Sequence, residues 1–158
     1  MFSLPWHNEQ VPVTWEKSDL RTWLNSEFLN TAFTSKERMA IRNVIRDNSD
    51  DFKNGTTVGA NTIDKVILLN GAEWKRYFET GKPSRVMPTA YALKQGVYAN
   101  ETGTVAWWFR SPGTQETSPA YLNSWGDLGS RNHQVNETII GVRPVMWVDK
   151  AVLKKQLK

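Results

Sequence analysis

The hydrophobic pattern changes period partway along the chain. Before Gly103 apolar residues recur at helical spacing; after it they alternate or cluster in short runs closed by Pro and Gly. Ser18 precedes Leu20, Trp23, Leu24 and Phe28, one helical stripe, with Asp19 in the first turn facing the positive end of the helix dipole. Thr34 and Glu37 have capping-box spacing ahead of Met39, Ile41 and Val44, which predicts a second helix. From Arg46 to Thr62, Asn, Asp, Gly and Thr dominate, with Ile45, Phe52 and Val58 as the nearby apolar anchors. A loop that long in a compact domain signals function or disorder. Val66 to Leu69 reads as a short buried strand. Asn70 and Glu73 repeat the cap spacing before Trp74, Tyr77 and Phe78, a helix that Gly81 closes. Thr89 to Gln95 predicts another short helix, stopped by Gly96.

In the C-terminal half, Val105 to Phe109 is a strand that Ser111-Pro112-Gly113 stops. Ala120 to Ser124 and Ser130 to Val135 read as a strand and its return, around the turn residues Gly126, Asp127 and Gly129. Ile139 to Val148 is the last strand, with Gly141 and Pro144 marking a bulge or an edge. Early helices and late strands predict an α+β class with one mostly antiparallel sheet, in a single domain over residues 1–158. Trp107 and Phe109 share one face of their strand, Trp108 and Arg110 the other. A buried arginine must find partners, because an unpaired buried charge is costly. Arg110 is expected to stack on an indole, and Arg143 beside Pro144 to tie a buried carboxylate or loop carbonyls. Trp107, Trp108, Arg110, Arg143 and Trp147 are therefore assigned to the scaffold.

The length of 158 residues suits one domain, large enough to bury about 70% of its unfolded surface. Eight Trp supply much of that burial, and the absence of Cys removes disulfides, thiolate metal sites and cysteine nucleophiles. No apolar run reaches the ~20 residues of a membrane span. Met1 to Gln10 lacks the basic flank and apolar core of a signal peptide, so the chain reads as soluble with no export address, its compartment left open. Part of the net charge of +4 lies in Lys150, Lys154, Lys155 and Lys158, which read as a solvated final turn. No basic stripe interleaves with aromatics, so nucleic acid is not an expected partner.

Six ordered motifs carry a family resemblance. They are Thr14-Trp15-Glu16, Leu20-Arg21-Thr22-Trp23-Leu24-Asn25, Asp64-Lys65-Val66-Ile67-Leu68-Leu69, Pro88-Thr89-Ala90-Tyr91-Ala92, Trp107-Trp108-Phe109-Arg110-Ser111-Pro112-Gly113 and Gly141-Val142-Arg143-Pro144. From about Thr14 to Asp149 the chain resembles a widespread bacterial domain family of unknown function, common in gut Firmicutes and their surface or phage-borne proteins. That family is similar in turn to the C-type-lectin-like superfamily, in the branch shared with formylglycine-generating enzymes and the variable proteins of diversity-generating retroelements. The resemblance implies a C-type-lectin-like fold whose first and last strands pair, and an extracellular or phage-borne setting rather than a cytoplasmic one. Thr14-Trp15-Glu16 stands close to the start of this chain. The partner of the last strand is then missing, shortened to Phe2–Leu4, or supplied by another chain, which leaves a homo-oligomer or a strand donor open.

Enzyme chemistry finds little support in these residues. The formylglycine-generating relatives depend on cysteines, and their iron-dependent cousins on a histidine cluster; here His7 and His133 are the only histidines. No G-x-S-x-G elbow occurs, and Ser111 before a proline reads as a turn residue. Asp50-Asp51, or Glu73 with Glu79, are available carboxylate pairs that nothing in the sequence selects. Trp125-Gly126-Asp127 is a faint echo of a calcium-lectin motif, with Asp127, Asn123 and Asn132 as the oxygens on offer; no cofactor is expected, and calcium is left open without support. The segment from Tyr121 to Asn136 mixes aromatic anchors with adaptable polar groups, as recognition loops do. In the retroelement-diversified relatives this region carries the variable binding residues. The resemblance thus makes Tyr121, Asn123, Trp125, Asp127, Arg131, Asn132, His133 and Asn136 the ligand face of a non-catalytic domain that binds a protein or a glycan. The alternatives are an enzyme of altered chemistry and an assembly module completed by a partner strand.

Overall fold

The computed structural model describes residues 2–49, 51–78, 84–129 and 132–156, and its class is α+β. A short strand, β1 (Phe2–Ser3), opens the fold. Ser18 caps α1 (Asp19–Trp23), accepting from the Arg21 N–H at 3.2 Å. The helix then widens into a π turn (Leu24–Phe28) before α2 (Leu29–Ala32), and Leu20, Leu24 and Phe28 are buried beneath it. Thr34 and Glu37 complete both halves of the capping box at the head of α3 (Ser35–Ala40). That helix ends sooner than the apolar spacing suggests: Met39 is exposed, Ile41 bridges Val148, and Val44 lies in β2 (Val44–Arg46).

β2 pairs antiparallel with β3 (Thr62–Asp64), and β4 (Val66–Ile67) follows. The polar segment between β2 and β3 is pinned along its length. Asn48 Nδ2 donates to Ala60 O at 2.7 Å, Asn54 Nδ2 to Pro112 O at 3.1 Å, and Thr56 Oγ1 to Gly113 O at 2.7 Å. Asn70 and Glu73 cap α4 (Gly71–Phe78) reciprocally: the Asn70 N–H donates to Glu73 Oε2 at 3.0 Å, and the Glu73 N–H to Asn70 Oδ1 at 2.7 Å. Gly81, expected to close this helix, and Glu79 lie outside the described residues. Thr89 caps α5 (Ala90–Lys94), and Gly96, at φ 101°, ends that helical segment in a conformation glycine favours.

The longest strand, β5 (Trp107–Gln115), runs through Ser111-Pro112-Gly113, where a stop was expected. It pairs antiparallel with β6 (Ser118–Leu122), with Pro112 opposite Pro119 and a register shift on either side. β7 (Leu128–Gly129), β8 (Gly141–Val142) and β9 (Val145–Met146) complete the strands. The main sheet has the order β1-β8-β5-β6-β7 and is antiparallel except where β8 meets β5 at Trp107. Beyond Trp107 that edge of β5 has no strand neighbour among the described residues, which is where proline is tolerated. Its polar groups are met otherwise: the Arg110 N–H donates to Leu69 O, and the Trp6 indole N–H to Phe109 O, both at 3.0 Å.

Two strand expectations need correction. Ile139 to Val148 is not one strand, because β8 joins the main sheet while β9 pairs with β4 elsewhere. Pro144, with no N–H for a ladder, lies between the two partners. The antiparallel neighbour of β8 is the chain's own Phe2–Ser3. Of the expected return strand from Ser130 to Val135, Ser130 and Arg131 lie outside the described residues and 132–135 are irregular; the pairing with β6 is made by β7 instead. α6 (Lys150–Gln156) follows, with Lys150, Lys154 and Lys155 exposed. Among the described residues no helix is long and apolar enough to cross a membrane.

β5 is buried on both faces. Trp107 and Phe109 meet edge to face at 4.9 Å and pack with Trp74 and Phe78 of α4. Trp108 points the other way, into a core with Trp6, Trp15, Leu20 and Leu24. The two arginines exchange the roles expected of them. Arg110, 3% exposed, makes no ring stack among the described residues; its Nη1 donates to the Glu73 carboxylate and to Leu68 O, and its Nη2 to Asp47 O at 3.2 Å. Arg143 instead lies over the rings of Phe78 and Trp107, at 5.0 and 5.1 Å, and burial pushes its pKa down. The reason is positional: the cap of α4 places Glu73 beside Arg110, whereas Arg143 comes up against the aromatic layer. An indole stack does occur, between Arg46 and the half-buried Trp147 at 4.1 Å, while Arg46 Nη1 donates to Glu73 Oε1 at 3.0 Å.

Burial alone would push the Glu73 carboxyl up, but the Arg110 hydrogen bond and charge, the Asn70 N–H and the Arg46 charge hold it below its usual 4.5. A depressed carboxyl stabilises the fold fully above its unfolded value, and that contribution disappears as pH falls through the folded one. Urea denaturation should therefore show stability dropping below about pH 4.5, and Glu73→Leu should flatten that part of the profile. At neutral pH Glu73→Ala should cost about 3–5 kcal/mol, because it strands a buried guanidinium. Wild-type stability in that variant would refute the role given to the pair.

Candidate functional site

The hairpin joining β6 to β7 is built around one side chain. Asn123 Oδ1 accepts the N–H groups of Trp125 and Asp127, each at 2.9 Å, and the Asn123 N–H donates to Asp127 O at 2.8 Å. Gly126, at φ 92°, makes that tight loop accessible without strain. From the other side Thr104 Oγ1 donates to Ser124 O at 2.6 Å, so the loop tip is held at both flanks.

Below the hairpin lies Tyr121, 4% exposed. Its ring meets Trp108 and His133 edge-on, with centroids 6.1 and 4.7 Å away. It also lies across Gly129, where a Cβ would come within 2.2 Å of a ring atom, so no larger residue fits beside it. Burial, and to a lesser degree the charge of Glu137, push the phenol pKa up, against a hydrogen bond from Asn132. The phenol therefore stays neutral at physiological pH and keeps its proton to donate.

His133 is fixed as firmly. Glu137 Oε2 lies 2.7 Å from His133 Nδ1, and Glu137 Oε1 accepts the Gln134 N–H at 2.8 Å. Ser118 Oγ donates to His133 O at 2.5 Å, tying the segment to β6. In the neutral ring the carboxylate holds the proton on Nδ1 and leaves Nε2 an acceptor. His7 has a separate partner, with Nδ1 2.9 Å from Asp19 Oδ2, so each histidine faces its own carboxylate.

These groups border an open cleft of about 470 Å³. Tyr121, Asn123, Asn132 and His133 line it, as does Ser124 between them in sequence. Trp125, Asp127 and Asn136 are exposed but line no part of it, and Arg131 lies outside the described residues. Tyr98, Ala106, Ile139 and Ile140 form the rest of the wall and were not expected there. The Tyr98 N–H donates to Ile139 O at 3.0 Å, which joins the segment after α5 to the cleft. An aromatic residue with no place in any periodic element, just after a helix stop, was the available signal for Tyr98.

The cleft does not assemble a calcium shell from Asp127, Asn123 and Asn132. Asn123 Oδ1 already accepts two backbone N–H groups, Asn132 hydrogen-bonds Tyr121, and Asp127 does not line the cleft. Among the described residues no three His, Asp or Glu side chains are grouped to hold a metal. Of the carboxylates considered, Glu73 is engaged by two arginines, and Asp51 accepts the Ala72 N–H at 2.8 Å. Ser111 Oγ accepts the buried Gly71 N–H at 3.0 Å, a packing role.

A family model described as a domain of unknown function (DUF6273) matches residues 2–150. No curated protein and no solved structure matches the chain.

The cleft wall depends on the close approach of Tyr121 and Gly129. Gly129→Ala should displace the ring, cost about 1–3 kcal/mol by overpacking, and abolish the Tyr121–His133 ring contacts, with NMR as the measurement. Retention of those contacts at full stability would show that the wall is not set this way.

Proposed function

The chain belongs to the DUF6273 family, and we propose that it is a non-catalytic recognition domain of C-type-lectin-like architecture whose cleft binds a glycan. One observation carries this reading: aromatic rings and fixed hydrogen-bonding groups face the same open cleft. Tyr98, 65% exposed, offers ring surface to the apolar face of a sugar, and the buried Tyr121 forms the floor beneath it, while Asn132, Ser124 and His133 offer donors and acceptors for hydroxyls. The pairing of β1 with β8 supports the lectin-like architecture, since it joins the first and last strands of the sheet. Kinship with retroelement variable proteins belongs to the same proposal and rests on the resemblance of the motifs.

An enzymatic reading has one observation in its favour, the His133–Glu137 pair beside the Tyr121 phenol. The two readings separate experimentally. A glycan array, run with and without calcium and followed by NMR titration of the hits, should give saturable binding. Tyr98→Ala and Asn132→Ala, both at exposed positions, should weaken it about tenfold each with melting temperatures unchanged. Trp125→Ala, outside the cleft, should leave it intact. Chemical conversion of the bound sugar, lost in His133→Ala, would establish the enzyme instead. Binding that depends on Trp125 and ignores the cleft variants would defeat the cleft reading altogether.

A further inference from the structure

A second pocket, sharing no residue with the cleft, lies over β1 between two helical walls. Each wall contributes an aromatic residue and a polar one four positions later: Trp23 with Glu27, and Tyr91 with Gln95. Phe2 of β1 stands between them, edge-on to Trp23 at 5.3 Å and to Tyr91 at 5.9 Å, with interplanar angles of 69° and 73°. The rings thus meet as the walls of a box rather than as a stack.

The π turn shapes one side of this box. In such a turn residues five apart come into line, and Trp23 and Phe28 accordingly lie 5.3 Å apart and tilted by 33°. Phe28 also backs Phe2, at 5.1 Å. Glu27 is left exposed beside Trp23, and no basic side chain is among the described lining residues. π turns recur at functional sites because they re-aim side chains within a helix. Phe2 and Trp23 are half-buried, whereas Tyr91, Glu27 and Gln95 are exposed, which places the carboxylate at the mouth. At about 210 Å³ the pocket is head-group sized, below the ~300–1,000 Å³ typical of drug-sized ligands.

We propose that this pocket binds a choline-type quaternary ammonium head group. Trimethylammonium is a weakly hydrated cation that aromatic faces attract through their quadrupoles, and a rim carboxylate adds charge complementarity. The inference is independent of the glycan reading.

The test is an NMR titration of the whole chain with tetramethylammonium and with choline. The control is choline's uncharged carbon isostere, in which tert-butyl replaces trimethylammonium. Saturable shifts are expected at the Trp23 indole N–H and at Tyr91, with the isostere binding far more weakly. Tyr91→Leu, which keeps bulk but removes the π face, and Glu27→Gln, which removes the charge, should each weaken binding between about 2-fold and 30-fold. Both positions are exposed, so the melting temperature should hold. The proposal is overturned if the isostere binds as well as choline, if no shift saturates, or if both variants bind like the parent chain.

Discussion

A guanidinium in the middle of a buried strand constrains the rest of this molecule. Arg110 lies where water does not reach, so the chain must bring a carboxylate and carbonyl oxygens to it. Glu73 arrives as the reciprocal cap of α4, Leu68 O from the segment after β4, and Asp47 O from the start of the polar loop. The other Glu73 oxygen takes Arg46, whose guanidinium covers Trp147 near the C-terminus. Segments distant in sequence are thereby held in one register. Such a pair contributes less to net stability than its Coulomb energy suggests, because desolvation opposes it. Its larger effect here is to select one arrangement, since slipping β5 by one residue would bury the charge without a partner.

That rigidity lets other segments remain irregular. The polar loop between β2 and β3 covers the free edge of β5 and satisfies the carbonyls of Pro112 and Gly113. The hairpin at Asn123 to Asp127 and the turn at His133 to Glu137 are fixed by their own side chains and by Thr104 and Ser118. The seam of β1 with β8 lies between the two pockets: Phe2 lines one, Ile140 the other, and Ser3 Oγ donates to Thr138 O across the seam at 2.6 Å.

Local features were legible because their physics is local. The caps at Ser18, Thr34, Asn70 and Thr89 involve residues three apart, and all four form. The alternation of Trp107 and Phe109 against Trp108 follows from strand geometry alone. The partners of Arg110 and Arg143 were not legible, because both sit in similar apolar runs and only the approach of α4 distinguishes them. Tyr98 stayed hidden for a related reason: it reaches the cleft through a bond to Ile139, a contact between distant segments that no local pattern encodes.

By itself, then, the sequence determined the class, the four capped helix starts, the inward residues of β5 and the segment that forms most of one cleft wall. Each follows from neighbours a few residues apart, whose geometry the backbone enforces. Tertiary structure alone decided which carboxylate meets which arginine, where Ile139 to Val148 divides between two sheets, and that Phe2, Trp23 and Tyr91 enclose one pocket. Those outcomes depend on which surfaces remain free once every other segment has packed, a condition set by the whole chain at once.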